Sequence, residues 1–173
     1  MPSITDPSPC PVCGFDAGTV GPGDAVVALR TYPRRFRAVL TGPDERHEEL
    51  VRRRPATGAW SALEHAAHVA DALEQVAAAL QRVAVSDEPA VSVDGAGEPG
   101  ASSVDDVLDR LASAANRVAS AADGVHGEDW ARTGRLPGDR TVSALDLLRH
   151  GAHVGAHHVR AAQRALDAAR ARR

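Results

Sequence analysis

From Ser61 onward the chain sets Leu63, Ala66, Ala67, Ala70, Leu73, Ala77 and Leu80 at the spacing of one helix face. A row of this kind must be buried against another apolar surface. The chain supplies three more rows. Val26, Val27, Ala28, Leu29, Phe36, Val39 and Leu40 lie between Asp24 and Leu40. Val104, Val107, Leu108, Leu111, Ala115, Val118 and Ala122 follow Ser103. Leu145, Leu148, Ala152, Val159 and Leu166 follow Ser143. The spacing predicts helices over about 26–40, 61–84, 104–123 and 143–169, an all-α four-helix bundle with long connections. Aromatic residues make up 3% of the chain and apolar residues 43%. A core of Ala, Leu and Val suits closely packed helices better than a β-sandwich.

The punctuation between the rows agrees. Residues 1–23 are rich in Pro and Gly and read as an irregular N-terminal segment. The bundle then spans 24–169, and 170–173 form a basic end. Pro33 should kink or divide the first helix. Residues 41–60 hold a short charged helix and a loop closed by Pro55 and Gly58. Ser61 and Glu64 form a capping-box signature. Residues 86–103 read as a flexible connection, and 124–141 as a long structured loop around Trp130. Ser143 can cap the last helix, with Asp146 at its third position.

The net charge is −3, with both signs interspersed, and no basic stripe appears. Nucleic acid is therefore not an expected partner. No run of 18 apolar residues occurs, and the start "MPSITDPSPC" lacks a basic and apolar leader pattern. The expectation is no membrane span, no secretory signal and a cytoplasmic location. Bundle faces of this composition also allow a homodimer.

Eight histidines remain to be explained, four of them in "LLRHGAHVGAHH" at 147–158. His150, His153 and His157 fall on one helix face. His153 and His157 are one turn apart, so two imidazoles can converge on one ion as half of a transition-metal site. A third ligand must come from another helix, and the second long helix offers Glu64, His65, His68 and Asp71. On a helical wheel His68 shares a polar row with Glu64, Asp71 and Gln75. That row could equally face water. His65 points about 60° away from His68 and reads as a partly exposed polar residue, and His158 reads as pointing aside. Glu64 is a second-shell acceptor or a general base, or simply part of its capping box. His150 orients a ligand, lines a pocket, or is solvated.

"CPVCG" at 10–14 places Cys10 and Cys13, the only cysteines, in a Cys-x-x-Cys pair. The pair resembles half of a zinc ribbon. It could also be a redox dithiol, a sulfur donor folded over the histidine site, or two ordinary thiols on a mobile tail.

"ATGAWSALEHAAHVADAL" at 56–73 resembles the signature of the DinB/YfiT-like superfamily, in which a Trp-Ser pair opens the second helix. A metal-binding His follows the Trp by eight residues in that pattern, which here is His68, before Val69, Ala70 and Asp71. The family's HxxxH on the last helix is matched by "HVGAHH", giving His153 and His157. "EDWARTG" at 128–134 resembles the segment before that helix. The likeness spans roughly 24–166. It implies that His68, His153 and His157 hold one divalent ion, usually zinc or nickel, with a position open for water or a thiolate. It also implies an enzyme of the kind that joins a low-molecular-weight thiol, such as mycothiol, bacillithiol or glutathione, to an electrophile. His153 stands where the maleylpyruvate isomerase branch commonly has Glu, which departs from that activity. The alternative is a non-catalytic metal-binding or stress-associated interaction protein with a filled coordination sphere.

Overall fold

The computed structural model describes residue 4, residues 9–93 and residues 103–172. Helix α1 spans Pro22–Leu40, α2 Glu45–Arg52, α3 Ala62–Val85, α4 Val104–Asp123 and α5 Ala144–Ala171. A short hairpin, β1 Thr133–Leu136 and β2 Arg140–Ser143, precedes α5. Single 3-10 turns lie at Ala17–Thr19 and Gly127–Ala131. The long helices α1, α3, α4 and α5 form the four-helix bundle expected from the apolar rows. Both α1 and α3 pack against α4 and α5, so α1 and α3 sit on one diagonal.

The helix starts follow local chemistry. Pro22 occupies the first turn of α1, where its missing N–H costs nothing. Ser61 accepts from the Glu64 N–H while the Glu64 carboxylate accepts from the Ser61 N–H, closing the capping box of α3. Ser103 caps α4, and Ser143 with Asp146 closes the box of α5. These satisfy donors that no intrahelical carbonyl can reach.

Several expectations change. Pro33 does not divide α1, which runs unbroken through it. An interior proline costs about 3 kcal/mol. Tyr32 and Phe36 on either side are fully buried, and burial of such side chains returns roughly 1.5–3 kcal/mol each. The core face of α1 uses Ala25 and Tyr32, while Val27 is exposed. The polar row of α3 does not face water, since Glu64, His68, Asp71 and Gln75 are all half-buried. Asp71 is ion-paired to Arg110 of α4, and Glu74 to Arg117 at 2.8 Å.

The segment around Trp130 is more regular than a loop. Leu136 and Val142 alternate with exposed neighbours, and Pro137-Gly138-Asp139 makes the turn, with Gly138 and Asp139 at φ +77° and +56°. Part of the connection after α3 is also held. The Val91 N–H donates to the Arg135 carbonyl and the Arg135 N–H to the Pro89 carbonyl, both at 2.9 Å. Val91 and Val93 are buried. The rest of the expected flexible stretch, 94–102, lies outside the described residues, as do 1–3, 5–8 and Arg173.

α5 positions the site, and its closeness to α1 rests on Gly155. A Cβ built there would lie 2.2–2.8 Å from the Tyr32 ring. Tyr32 cannot yield, because it is 1% exposed and its hydroxyl donates to the Ala152 carbonyl at 2.7 Å. At Gly151 the nearest atoms would be Leu73 and Val76 side chains at 3.3 Å. Ala gains about 1 kcal/mol over Gly in a helix, whereas overpacking costs roughly 1–3 kcal/mol. Gly155→Ala should therefore lower stability by about 1–2 kcal/mol, and Gly151→Ala should be close to neutral. Urea midpoints of the two variants check this, and equal midpoints would contradict it.

Candidate metal centre

His153 and His157 project from α5 toward the N-terminal segment, which arrives by a tight turn. The Cys10 N–H donates to the Phe15 carbonyl at 2.9 Å, and the Gly14 N–H to the Cys10 carbonyl at 2.7 Å. Gly14 sits at φ +70°, a left-handed conformation that suits glycine. Phe15 stacks on the His153 ring with centroids 5.2 Å apart and planes 8° from parallel. Arg149 Nε donates to the Val20 carbonyl at 2.8 Å, tying the end of the segment to α5.

The turn brings four donors together. One ligand atom each from Cys10, Cys13, His153 and His157 lies within 4.8 Å of all the others. Cys10 Sγ stands 3.6 Å from His157 Nδ1. Both cysteines are buried and free of disulfide. Donors around a tetrahedral zinc are about 3.3–3.8 Å apart, given its bond lengths. The cluster thus needs to close by at most about 1–1.5 Å to meet that geometry. His153 Nε2 is buried with no hydrogen-bond partner, a costly state unless something binds there. Two sulfurs and two imidazoles fit a borderline-soft divalent ion such as zinc.

The electrostatics suit ligation. Burial pushes the Cys10 thiol up, but the N–H groups of Cys13 and Val12 and the Cys13 thiol outweigh it and hold it below the usual value. Cys13 is raised, chiefly by burial. Burial also lowers His153 and His157, with the His157 charge adding at His153 and Arg164 adding at His157. Neutral imidazole is the form that binds metal.

His68 lies outside this group of four. Its ring is 4.9 Å from Trp60 and 4.7 Å from His158, and its Nδ1 is buried without a partner. His65 is partly exposed, as expected, while His158 is buried rather than pointing aside. Their Nδ1 atoms are 3.0 Å apart across α3 and α5, and His158 is 5% exposed. One ring must donate and the other accept, so at least one is neutral. The missed signal is on α5 itself: Gly151, Gly155 and His158 fall at i, i+4 and i+7, one face, and the glycines mark it as packed. Trp60, His65, His68, His158, Ala161 and Arg164 line a pocket of about 590 Å³. The His158 ring is 5.1 Å from that of His157, so pocket and cluster adjoin.

The remaining candidates are placed plainly. Both Glu64 oxygens accept from Arg54 Nε, at 2.9 and 3.0 Å, and one also accepts from the Ser61 N–H. Burial pushes the Glu64 carboxyl up, and Arg54 and Ser61 more than reverse it. Glu64 is therefore an ionised structural anchor and is tied away from His68. His150 is half-buried one turn before His153. His47 belongs elsewhere, with Nε2 3.0 Å from the Val39 carbonyl.

The buried pair predicts a pH dependence. His65 is lowered to about 4 and His158 to about 2, in each case mainly by burial, with neighbouring imidazoles adding. Unfolded histidine titrates near 6.5. Below that value the unfolded chain takes up protons first, so stability present above about pH 6.5 is lost toward pH 4, by about 1.4 kcal/mol per pH unit for each ring. Urea midpoints of chelator-stripped protein should fall steadily from pH 7 to 4.5, and less steeply for His158→Leu. A profile that is flat from pH 7 to 5 would show both rings to be solvated.

Comparison with known proteins places this fold. YfiT from Bacillus subtilis, described as a probable metal-dependent hydrolase with an unusual four-helix bundle topology, superposes with a TM-score of 0.72 at 11% identity, over 87% of each chain. TT2238, a four-helix bundle protein, superposes with a TM-score of 0.61 at 22% identity, over 83% of this chain and 99% of that one. No functionally curated sequence matches. The DinB superfamily model matches residues 28–162, which include α3, the hairpin and the histidines of α5. The chain belongs to the DinB superfamily.

Proposed function

We propose that the protein is a divalent-metal-dependent enzyme that joins a low-molecular-weight thiol to an electrophilic small molecule. One observation carries this reading: a cluster of metal-ligating side chains adjoins a pocket of about 590 Å³. An ion at His153 and His157, zinc or nickel, would lower the pKa of a thiol that reached it and supply a thiolate nucleophile. The chain's own residues do the rest. Trp60 offers an apolar face for the body of a substrate, and Arg164 an exposed cation for a carboxylate on substrate or thiol. The His65 and His158 rings, neutral at cellular pH, can hold or pass a proton at the pocket wall. The metal dependence ascribed to YfiT supports the reading, because the histidines of α5 belong here to a cluster that could hold an ion. No helix among the described residues is long and apolar enough to cross a membrane. Two free, buried thiols suit a reducing compartment such as the cytoplasm.

A second reading is a non-catalytic metal protein. It is favoured by the number of donors, since four protein ligands fill a tetrahedral zinc and leave no place for substrate.

The test is conjugation of monochlorobimane to mycothiol, bacillithiol and glutathione, with chelator-stripped protein and with protein reloaded with zinc or nickel. Turnover should require metal and should fall by about tenfold or more in His153→Ala, since even outer-shell losses cost roughly 10–100-fold. His47→Ala should retain its metal. Absence of a metal-dependent rate with all three thiols would leave the non-catalytic reading.

A further inference from the structure

We propose that Cys10 and Cys13 are metal ligands, closing with His153 and His157 a four-coordinate Cys2His2 zinc centre that pins the N-terminal segment to α5. The inference rests on the metal-binding part of the reading above and goes beyond it. It assigns the ligands, selects the ion and makes the resting centre closed.

Three independent features converge. The first is the turn. Cys10 and Cys13 are separated by two residues, with Gly14 at φ +70° directly after them. The turn is closed by the Gly14 N–H on the Cys10 carbonyl and the Cys10 N–H on the Phe15 carbonyl. A closed Cys-x-x-Cys turn can aim two thiolates at one cation. The second is the partner surface. His153 and His157 are one helical turn apart, and the four donor atoms lie within 4.8 Å of one another. His153 Nε2 is buried and without a hydrogen bond. The third is docking. Phe15 against His153 and Arg149 on the Val20 carbonyl hold the segment on α5 by contacts that need no ion. The site is therefore preorganised.

The donor chemistry selects the ion. Two thiolates exclude magnesium and calcium, which prefer oxygen, and tetrahedral S2N2 is a zinc geometry. Four protein ligands make a closed centre, whereas a catalytic zinc keeps a position open. An outside thiol could enter only by displacing one of the four. His68 is then no ligand in the resting state. It remains a wall of the Trp60 pocket beside His158.

The experiment uses the full chain, purified without a histidine tag and loaded with one equivalent of zinc. Zinc-edge X-ray absorption should show two sulfurs at about 2.3 Å and two nitrogens at about 2.0–2.1 Å. Cobalt(II) substitution should give intense tetrahedral visible bands and a sulfur-to-cobalt charge-transfer band in the near ultraviolet. That band should fall by about half in Cys10→Ser and in Cys13→Ser, and vanish in the double variant. Zinc affinity should fall in each single variant by more than the roughly 10–100-fold of an outer-shell loss. Limited proteolysis should cut the N-terminal segment faster once zinc is removed. A wild-type zinc shell of nitrogen and oxygen only would overturn the proposal while leaving a metal-dependent enzyme standing, and needs no variant to fold. Sulfur in the shell without thiol conjugation would uphold the proposal and remove the transferase reading. Failure to bind either zinc or nickel would overturn both.

Discussion

The contact of α5 with α1 at Gly155 sets where every functional side chain lies. With no Cβ at that position, the Tyr32 ring sits against the α5 backbone and its hydroxyl reaches the Ala152 carbonyl. One turn earlier, Gly151 takes Leu73 and Val76 of α3 and Leu29 of α1. α5 is thereby held against both diagonal helices, and its residues outside that contact have fixed directions. His157 and His158 are neighbours in sequence but about 100° apart around the helix. His157 meets Cys10, and His158 meets His65 and His68 of α3.

The bundle itself was legible because its physics is local. Caps at Ser61, Ser103 and Ser143 and apolar residues at helical spacing announce α3, α4 and α5 within a residue or two. What escaped depends on tertiary partners. Pro33 reads as a breaker until Tyr32 and Phe36 are seen to be buried on either side. The polar row of α3 reads as a solvated face until Arg110 and His158 are seen to cover it. The hairpin before α5 is shorter than any periodicity can register, and only its Pro-Gly-Asp turn signals it.

The site divides along the same line. The His153–His157 spacing is a property of one helix and could be read directly. The arrival of Cys10 and Cys13 is not local, because some 140 residues separate them from α5. A Cys-x-x-Cys pair allows two sulfurs to share a target. It says nothing of where the target is. The segment's own clues are Phe15 and Gly14, an aromatic to stack and a glycine to turn. Both acquire meaning once the His153 ring is in place.

Placing candidate metal ligands and pocket residues on adjacent positions of one helix joins them electrostatically. The His157 and His158 rings are 5.1 Å apart, and a proton on His157 would act to keep His158 neutral. A divalent ion held by His157 would act in the same direction, since like charges at this range disfavour protonation. The His65–His158 bond needs one bare nitrogen, so a loaded centre favours the bond that spans α3 and α5. Arg164, at the outer rim, then supplies the pocket's positive charge. The arrangement suits a ligand with an apolar body against Trp60 and its anionic group outward, away from the buried imidazoles. The candidate metal cluster and the polarity of the pocket thus share the same turn of α5.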